Sequence, residues 1–350
     1  MTPPRRPRNR FGAADRRCRI GQVAQQRDAG TILSESIQPS CVWAITSYFT
    51  FDDPPGKKRR LETYRKFRER LQVPLVAVEL SQDGEFDLGR EDAESLIQVE
   101  GGAMLWQKER LLNIAIDALP PECDAVAWID CDVVLENERW PEALCEALTR
   151  YDLVQPFRRI RYLDRDEEPG SPLPEGTWLR DSIAFRLEEG SIPLRTFGGK
   201  KKGGDLTEYR VAQGNIWAAR RDLLDRHGLY DAFILGGADK GILAAAYGFY
   251  EEVTEVCQMS GRQIEHFLEW AVPFFRDIEC RVGWIPGDAY HLWHGDMEFR
   301  GYLTRFQGFE RFEFDPAVHL AMNEQAVWEW GEDHPALAQW ARDHFEGRKR

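Results

Sequence analysis

Long apolar runs are missing from this chain of 350 residues, and no stretch approaches the roughly 20 residues that cross a bilayer. CxxC spacing is missing too. The seven cysteines, Cys18, Cys41, Cys123, Cys131, Cys145, Cys257 and Cys280, are odd in number, so they read as reduced thiols in a cytoplasmic protein rather than a disulfide framework. No GxGxxG opens a helix after a strand pattern, which disfavours a dinucleotide fold of the usual phosphate-binding type. Internal repeats are absent. A basic excess is absent as well: the formal net charge is -13. The first twenty or so residues run against that trend, with Arg5, Arg6, Arg8, Arg10, Arg16, Arg17 and Arg19 against Asp15. Setting aside their net +6 leaves about -19 on the remainder. So acidic a body is a poor nucleic-acid binder and needs a metal or a local cationic pocket to hold an anionic substrate. The arginine-rich leader lacks the apolar segment of a secretion signal. Residues 1–39 read as a basic disordered tail, for which peripheral contact with the inner face of a membrane is one use.

What the chain does hold is an ordinary hydrophobic content, 43%, enough for a sizeable core. Residues 41–49 (CVWAITSYF) are rich in β-branched and aromatic residues and read as a first strand. An amphipathic helix over 57–71 and a second strand over 74–80 complete a βαβ unit. A polar interval follows, then a helix over 104–119 with Leu105, Leu112, Ile116 and Leu119 on or near one face, ended by Pro120 and Pro121. Strand and helix alternate to Phe157, so residues 40–157 form a nucleotide-binding half. Residues 158–204 lose the period and collect Pro, Gly and charge, including GGKKKGG at 198–204; they read as a loop-rich insertion or lid. Lys200 to Lys202 fit a diphosphate or, more plainly, a solvated charge run. Order returns at 205–310: a strand turning into a helix over 211–228, a glycine-rich turn and helix over 233–248, a helix near 258–270 and an edge strand over 279–286. Residues 311–350 read as a helical C-terminal cover.

The run Ala125 to Ile129 reads as a buried parallel strand, and it ends in two carboxylates, Asp130 and Asp132, around Cys131. Ligands of an open α/β sheet bind beyond the carboxyl ends of its strands. Oxygen ligands there suit Mg²⁺ or Mn²⁺, and such an ion clamps a diphosphate. The plain alternative is a polar turn that caps the next helix. His291 and His294, three apart and followed by Gly295, are candidate metal ligands or packing residues. Asp239 follows Gly236 and Gly237, which permit close approach to a ligand; its ordinary role would be a helix N-cap.

Taken as a set these blocks resemble a known family. WQKERLLNIAIDALPPECDAVAWIDCDVVL, Trp106 to Leu135, is similar to the block of the β-1,4-galactosyltransferase group (family 7 C-terminal domain) of GT-A glycosyltransferases, where a helix bearing Leu-Leu-Asn precedes a strand with Asp-x-Asp. Gly214 to Gly248 resembles that group's Gly-Gly-Glu-Asp block, and HLWH at 291–294 resembles the segment supplying its last metal ligand. The resemblance covers roughly 100 residues in the family's order. It implies an α/β, GT-A type sheet, mostly parallel, with helices on both faces. It implies Mn²⁺ or Mg²⁺ on Asp132, His294 and His291, and Asp130 on the ribose or the metal. Lys108 falls against the diphosphate of a donor best taken as UDP-linked. Asp239 falls on the catalytic base, and Gly236 and Gly237 on the acceptor side. Thr46 and Glu79, in the first two strands, are counted with the nucleotide-binding set. Departures from the family are Ala238, Lys240 and Gly241 in place of acids, and Leu235 in place of a tryptophan that contacts acceptor.

The implied activity is transfer of a sugar from a nucleotide donor to a glycan, lipid-linked or other hydroxyl acceptor. A metal would stabilise the departing diphosphate and a carboxylate would deprotonate the acceptor, giving inversion. Two rivals stand beside it. One is a haloacid-dehalogenase-type phosphatase with Asp130 as nucleophile and Asp132 as acid and base. The other is a non-catalytic sugar-binding protein on the same fold.

Overall fold

Alternation of strand and helix governs the computed structural model, which describes residues 37–51, 54–172, 177–192, 211–295, 305–332 and 334–347. The chain opens with β1 (Val42–Phe49), α1 (Pro54–Glu69), β2 (Leu75–Ser81), β3 (Ser95–Glu100), α2 (Lys108–Asp117), β4 (Ala125–Ile129), β5 (Val133–Leu135), α3 (Trp140–Ala147) and β6 (Leu153–Gln155). Next come β7 (Arg159–Tyr162), β8 (Leu179–Ser182), α4 (Ile183–Glu188), β9 (Val211–Ala212), β10 (Ile216–Arg220), α5 (Arg221–His227), α6 (Ala238–Tyr247), α7 (Tyr250–Val256) and α8 (Gly261–Ile278). The last elements are β11 (Val282–Trp284), β12 (Asp288–His291), α9 (Pro316–His319), β13 (Leu320–Met322), β14 (Trp328–Trp330) and α10 (Pro335–Glu346).

The main sheet has the strand order β11-β6-β10-β4-β1-β2-β3. It is mostly parallel: β1 pairs β2 and β4, β2 pairs β3 and β6 pairs β11 in parallel, and only β10 runs against its neighbours. Side-chain alternation sorts each strand between two cores. Ile45, Val126 and Trp128 pack with α2, α5, α6 and α8 on one face. Ala44, Ala125, Ala127 and Ile129 pack with Tyr64 and Phe67 of α1 and Trp140 and Leu144 of α3 on the other. Helices therefore cover both faces, and every residue of β4 is buried. No helix among the described residues is long and apolar enough to cross a membrane.

A second sheet, β5-β12-β7-β8-β9, leans on the end of β4. The sequence did not announce it. Residues 158–204, expected as a loop-rich insertion, contribute β7, β8 and α4. Each of these strands has four residues, several of them charged, too short to show a period-2 pattern against their turns. The GGKKKGG run lies outside the described residues, as does the basic leader as far as residue 36. The polar interval before α2 contains β3, an edge strand of six residues whose Leu96, Ile97 and Val99 are too few, among polar neighbours, to stand out from a loop. The C-terminal cover is helical at its ends, in α9 and α10, and carries the antiparallel hairpin β13-β14 between them. That hairpin reaches the main body, since the backbone carbonyl of Trp328 accepts from Ala103 N and from the Gln107 amide. Cys41, Cys123, Cys131, Cys145 and Cys257 are free thiols. Cys280 is disulfide-bonded, contrary to the reading of all seven as reduced, because sequence spacing carries no information on pairs made in space.

Candidate metal centre and active site

β5 begins one residue after Asp132, and its antiparallel partner β12 ends at His291, which pairs with Val133. The amide of Leu292 donates to the Asp132 carbonyl at 2.8 Å, extending the pairing past the strand end. The register thereby sets His291 beside Asp132, with its Nε2 3.8 Å from Oδ1. Two residues of loop carry the chain on to His294, whose Nε2 lies 2.8 Å from Asp132 Oδ2. One donor atom from each of the three falls within 4.8 Å of the others. An acid at the end of β4 and two imidazoles from far along the chain thus converge on one point.

The surroundings hold this geometry. Tyr162, paired with His291 across β7 and β12, stacks on its ring at 4.8 Å between centroids. Trp293, between the two histidines, is flanked by the guanidinium groups of Arg59 at 5.4 Å and Arg165 at 4.5 Å, a cation–π clamp on the loop. Cys131, between the two aspartates, turns into the α1/α3 core, where burial pushes its thiol up to about 12 and keeps it protonated. One carboxylate and two imidazoles form a donor set suited to a divalent transition metal such as Mn²⁺. The residues fit the ion that the sequence resemblance implies.

Asp130 takes no place in that triad. Its amide donates to Asn215 O at 2.9 Å, and its carboxylate meets Lys108 Nζ, at the first position of α2, at 2.5 Å. The same ammonium lies 3.8 Å from Asp239 Oδ1. Lys108 therefore bridges the end of β4 and the start of α6. Burial opposes its charge, but Asp130, Asp239 and Glu109 outweigh burial and hold it protonated above its ordinary range. Burial also raises the Asp130 carboxyl while Lys108 pulls it down. At 2.5 Å from an ammonium facing two further carboxyls, Asp130 stands as the anionic half of an ion pair.

Asp239 is not the N-cap of α6. That position is Gly237, in the left-handed region at φ 106° and following Gly236 at φ 82°, and Asp239 lies one residue inside the helix. Its carboxylate is seated against Gly214, where a Cβ would overlap it. The Gln213–Asn215 turn between β9 and β10 thus touches both Asp130 and Asp239. Gly236 and Gly237 are covered by Trp106, Arg305 and Phe306 rather than by Leu235, which is buried.

Two residues assigned to the nucleotide have structural tasks. Thr46 is 0% exposed, and its hydroxyl donates to Ile129 O at 2.6 Å, tying β1 to the end of β4. The buried Glu79 carboxylate accepts from the amides of Asp87 at 2.5 Å and Leu88 at 3.2 Å and from the Gln98 side chain at 2.9 Å. Both are spent on the scaffold. Glu79 nevertheless borders a cavity of about 160 Å³ at the ends of β1 and β2, which Tyr48, Lys57, Ser81 and Met104 also line.

The sequence reading missed Glu109. It is 3% exposed beside Lys108, and burial, opposed by Lys108 and reinforced by Asp239, pushes its carboxyl up to about 8. Nothing in the sequence separates it from an exposed helix acid, because its burial follows from how α2 packs. Trp106, two residues before Lys108, and Arg305 were missed as well, because only the tertiary packing sets them against the Gly236–Gly237 turn.

No protein-family model matches the chain, and no curated protein matches it in sequence. Among solved structures it is similar to glucosyl-3-phosphoglycerate synthase from Mycobacterium tuberculosis, in complex with Mn²⁺, UDP-glucose and phosphoglyceric acid, at 11% identity and TM-score 0.36 over 88% of this chain and 94% of that one. It is similar to a Drosophila β1,4-galactosyltransferase 7 in complex with manganese, UDP-Gal and xylobiose, at 12% identity and TM-score 0.35 over 86% of this chain and 98% of that one. A 4-diphosphocytidyl-2C-methyl-D-erythritol synthase from Anaerococcus prevotii matches at 14% identity and TM-score 0.34, covering 72% and 89% of the two chains. Superpositions this loose say nothing of what this chain binds; its own residues must carry that.

Two outcomes are expected from this geometry. Asp132→Ala and His294→Ala should each weaken Mn²⁺ binding by at least about tenfold, as isothermal titration calorimetry would measure, since each removes one of three ligands. The raised Glu109 pKa means that the folded chain keeps a proton the unfolded chain has released, so stability falls as pH rises from 4.5 to about 8. Glu109→Gln should flatten that fall in thermal-denaturation midpoints across the same window.

Proposed function

We propose that this chain is a metal-dependent glycosyltransferase that moves a sugar from a nucleotide donor, UDP-linked by the sequence resemblance, to a hydroxyl acceptor with inversion. The observation that carries the reading is the convergence of Asp132, His291 and His294 on one point, beside a second cluster in which Lys108 links Asp130 to Asp239. A divalent ion on the triad would supply Lewis-acid stabilisation of the charge that develops on a departing diphosphate.

The chain's own residues do the rest. Lys108, held protonated, keeps the Asp130 carboxylate fixed and adds positive charge at the end of β4, where the nucleotide's phosphates belong. Asp130 stays available to ribose hydroxyls, which donate to carboxylates. Asp239, fixed between Lys108 and Gly214, accepts the proton of the acceptor hydroxyl as that oxygen attacks the anomeric carbon. Gly236 and Gly237, overlaid by Trp106, Arg305 and Phe306, belong to the acceptor side. A base on the acceptor and a metal on the leaving group act on opposite faces of the sugar, so a single displacement inverts the centre.

The phosphatase reading fits these residues less well. It needs a strand beside β4 that ends in adjacent acids. The neighbours are β1, which ends at Phe49, and the antiparallel β10, which presents Gln213, Gly214 and Asn215 at that edge. It also leaves two histidines closed on Asp132 with no task. A binding protein without turnover would keep the triad and show no chemistry.

Release of nucleoside diphosphate from a panel of nucleotide sugars, with Mn²⁺ present and absent, tests the reading. Metal-dependent release of UDP is expected; release of inorganic phosphate favours the phosphatase, and no release the binder. Asp239→Asn should retain UDP·Mn²⁺ binding and lower transfer by about a hundredfold or more. Gly214→Ala, which drives the Asp239 carboxylate from its seat, should lower kcat by at least about tenfold with donor KM little changed.

A further inference from the structure

Gly236 and Gly237 lead directly into α6, whose second residue is Asp239, and the side chains of Trp106, Arg305 and Phe306 lie against this turn. A Cβ at Gly236 would come within 3.0 Å of Arg305 Nη1 and 3.3 Å of the Trp106 ring, and one at Gly237 within 3.5 Å of Arg305 Nη2. Arg305 Nη1 also donates to the Leu235 carbonyl at 3.4 Å, which holds the guanidinium beside the glycine turn. Lys240 follows Asp239 in the first turn of α6, and its amide donates to the Gly237 carbonyl at 3.0 Å. The Lys240 side chain is half-buried, so this cation stands one residue after Asp239 as Arg305 stands on the turn before it. Phe306, the next residue, supports Arg305 with its ring 5.0 Å from the guanidinium carbon.

Consider what such a surface recognises. A neutral sugar presents hydroxyls that bind best to groups able to accept as well as donate. Guanidinium and ammonium groups only donate, and both carry charge. Their strongest partner is an anion, through short charge-assisted hydrogen bonds, and a guanidinium takes a phosphate or carboxylate in bidentate fashion. In a chain of net charge -13, two cations flanking the entrance also draw an anion to a place that the rest of the surface disfavours. The Trp106 ring beside Gly236 supplies an apolar face for the acceptor's carbon skeleton.

We infer that the acceptor is an anionic alcohol, bearing a phosphate or carboxylate that Arg305 and Lys240 hold while its hydroxyl faces Asp239 and its skeleton rests on Trp106. This rests on the glycosyltransferase reading and adds the acceptor's chemical class. Arg305 and Lys240 are then specificity-determining residues, and the base remains Asp239.

The test uses the full-length protein loaded with UDP and Mn²⁺, whose binding is measured first by calorimetry. Failure of that step overturns the transferase reading and this inference with it. Glucose 6-phosphate, glucuronate and glucose are then titrated separately, so that phosphate, carboxylate and neutral arms are distinguished. At least one anionic arm is expected to bind about tenfold or more tightly than glucose, with Arg305→Gln and Lys240→Gln each removing most of that preference. Should Arg305→Gln fail to fold, Lys240→Gln decides alone, since its side chain is half-buried in the first helical turn. Equal affinity for all three sugars in the donor-loaded protein overturns the inference, as does an equal loss across the three arms in the variants.

Discussion

The antiparallel pairing of β12 with β5 is the constraint on which the rest of the site depends. β5 starts immediately after the aspartates, so any strand paired to it in this direction must end beside Asp132. The observed register makes the residue at that place His291. A slip of one residue would turn His291 to the opposite face of the sheet and carry His294 away with it. The pairing is guarded on the far side by β7, which runs parallel to β12 and sets Tyr162 against the histidine ring. The candidate metal centre therefore sits at the junction of two sheets, its carboxylate on the turn that joins β4 to β5 and its imidazoles at and just beyond the end of β12.

A second constraint is electrostatic. Asp130, Asp239 and Glu109 are gathered around one buried ammonium, Lys108. Carboxylates removed from water and set near one another repel, and burying them is unfavourable unless a cation is shared among them. Lys108 supplies that cation, and its position at the start of α2 fixes how close the helix must come to the end of β4. Glu109 meets the same pressure by holding its proton. One lysine thereby joins Asp130, at the end of β4, to Asp239, at the start of α6.

Much of this was legible in the residues. The strands near 41–49, 74–80 and 125–129 announce themselves because their apolar runs are buried on both faces, and a two-sided core leaves an uninterrupted signal. The Asp-x-Asp pair, the HLWH histidines and Asp239 were identified by type, spacing and order, and the structure brings all of them to one region. Thr46 and Glu79 make hydrogen bonds within the scaffold, which the sequence does not announce, since a polar residue in a strand looks the same whether it faces a ligand or fastens the fold. The second sheet, β3 and the C-terminal hairpin were not legible, because strands of two to six residues carry too little periodicity to be told from loops.

By itself the sequence determined the local matters: where the long helices and the buried core strands run, where glycines free the backbone before Asp239, and which side chains own the chemistry of metals and protons. These follow from short-range periodicity and from the functional groups themselves. Only the tertiary structure decided which of those groups meet. That Asp132 joins His291 and His294 while Asp130 turns to Lys108, that Glu109 is buried, and that Arg305 and Trp106 overlie the glycine turn are outcomes of strand register and helix packing. Those depend on contacts between residues far apart along the chain, and no local pattern encodes them.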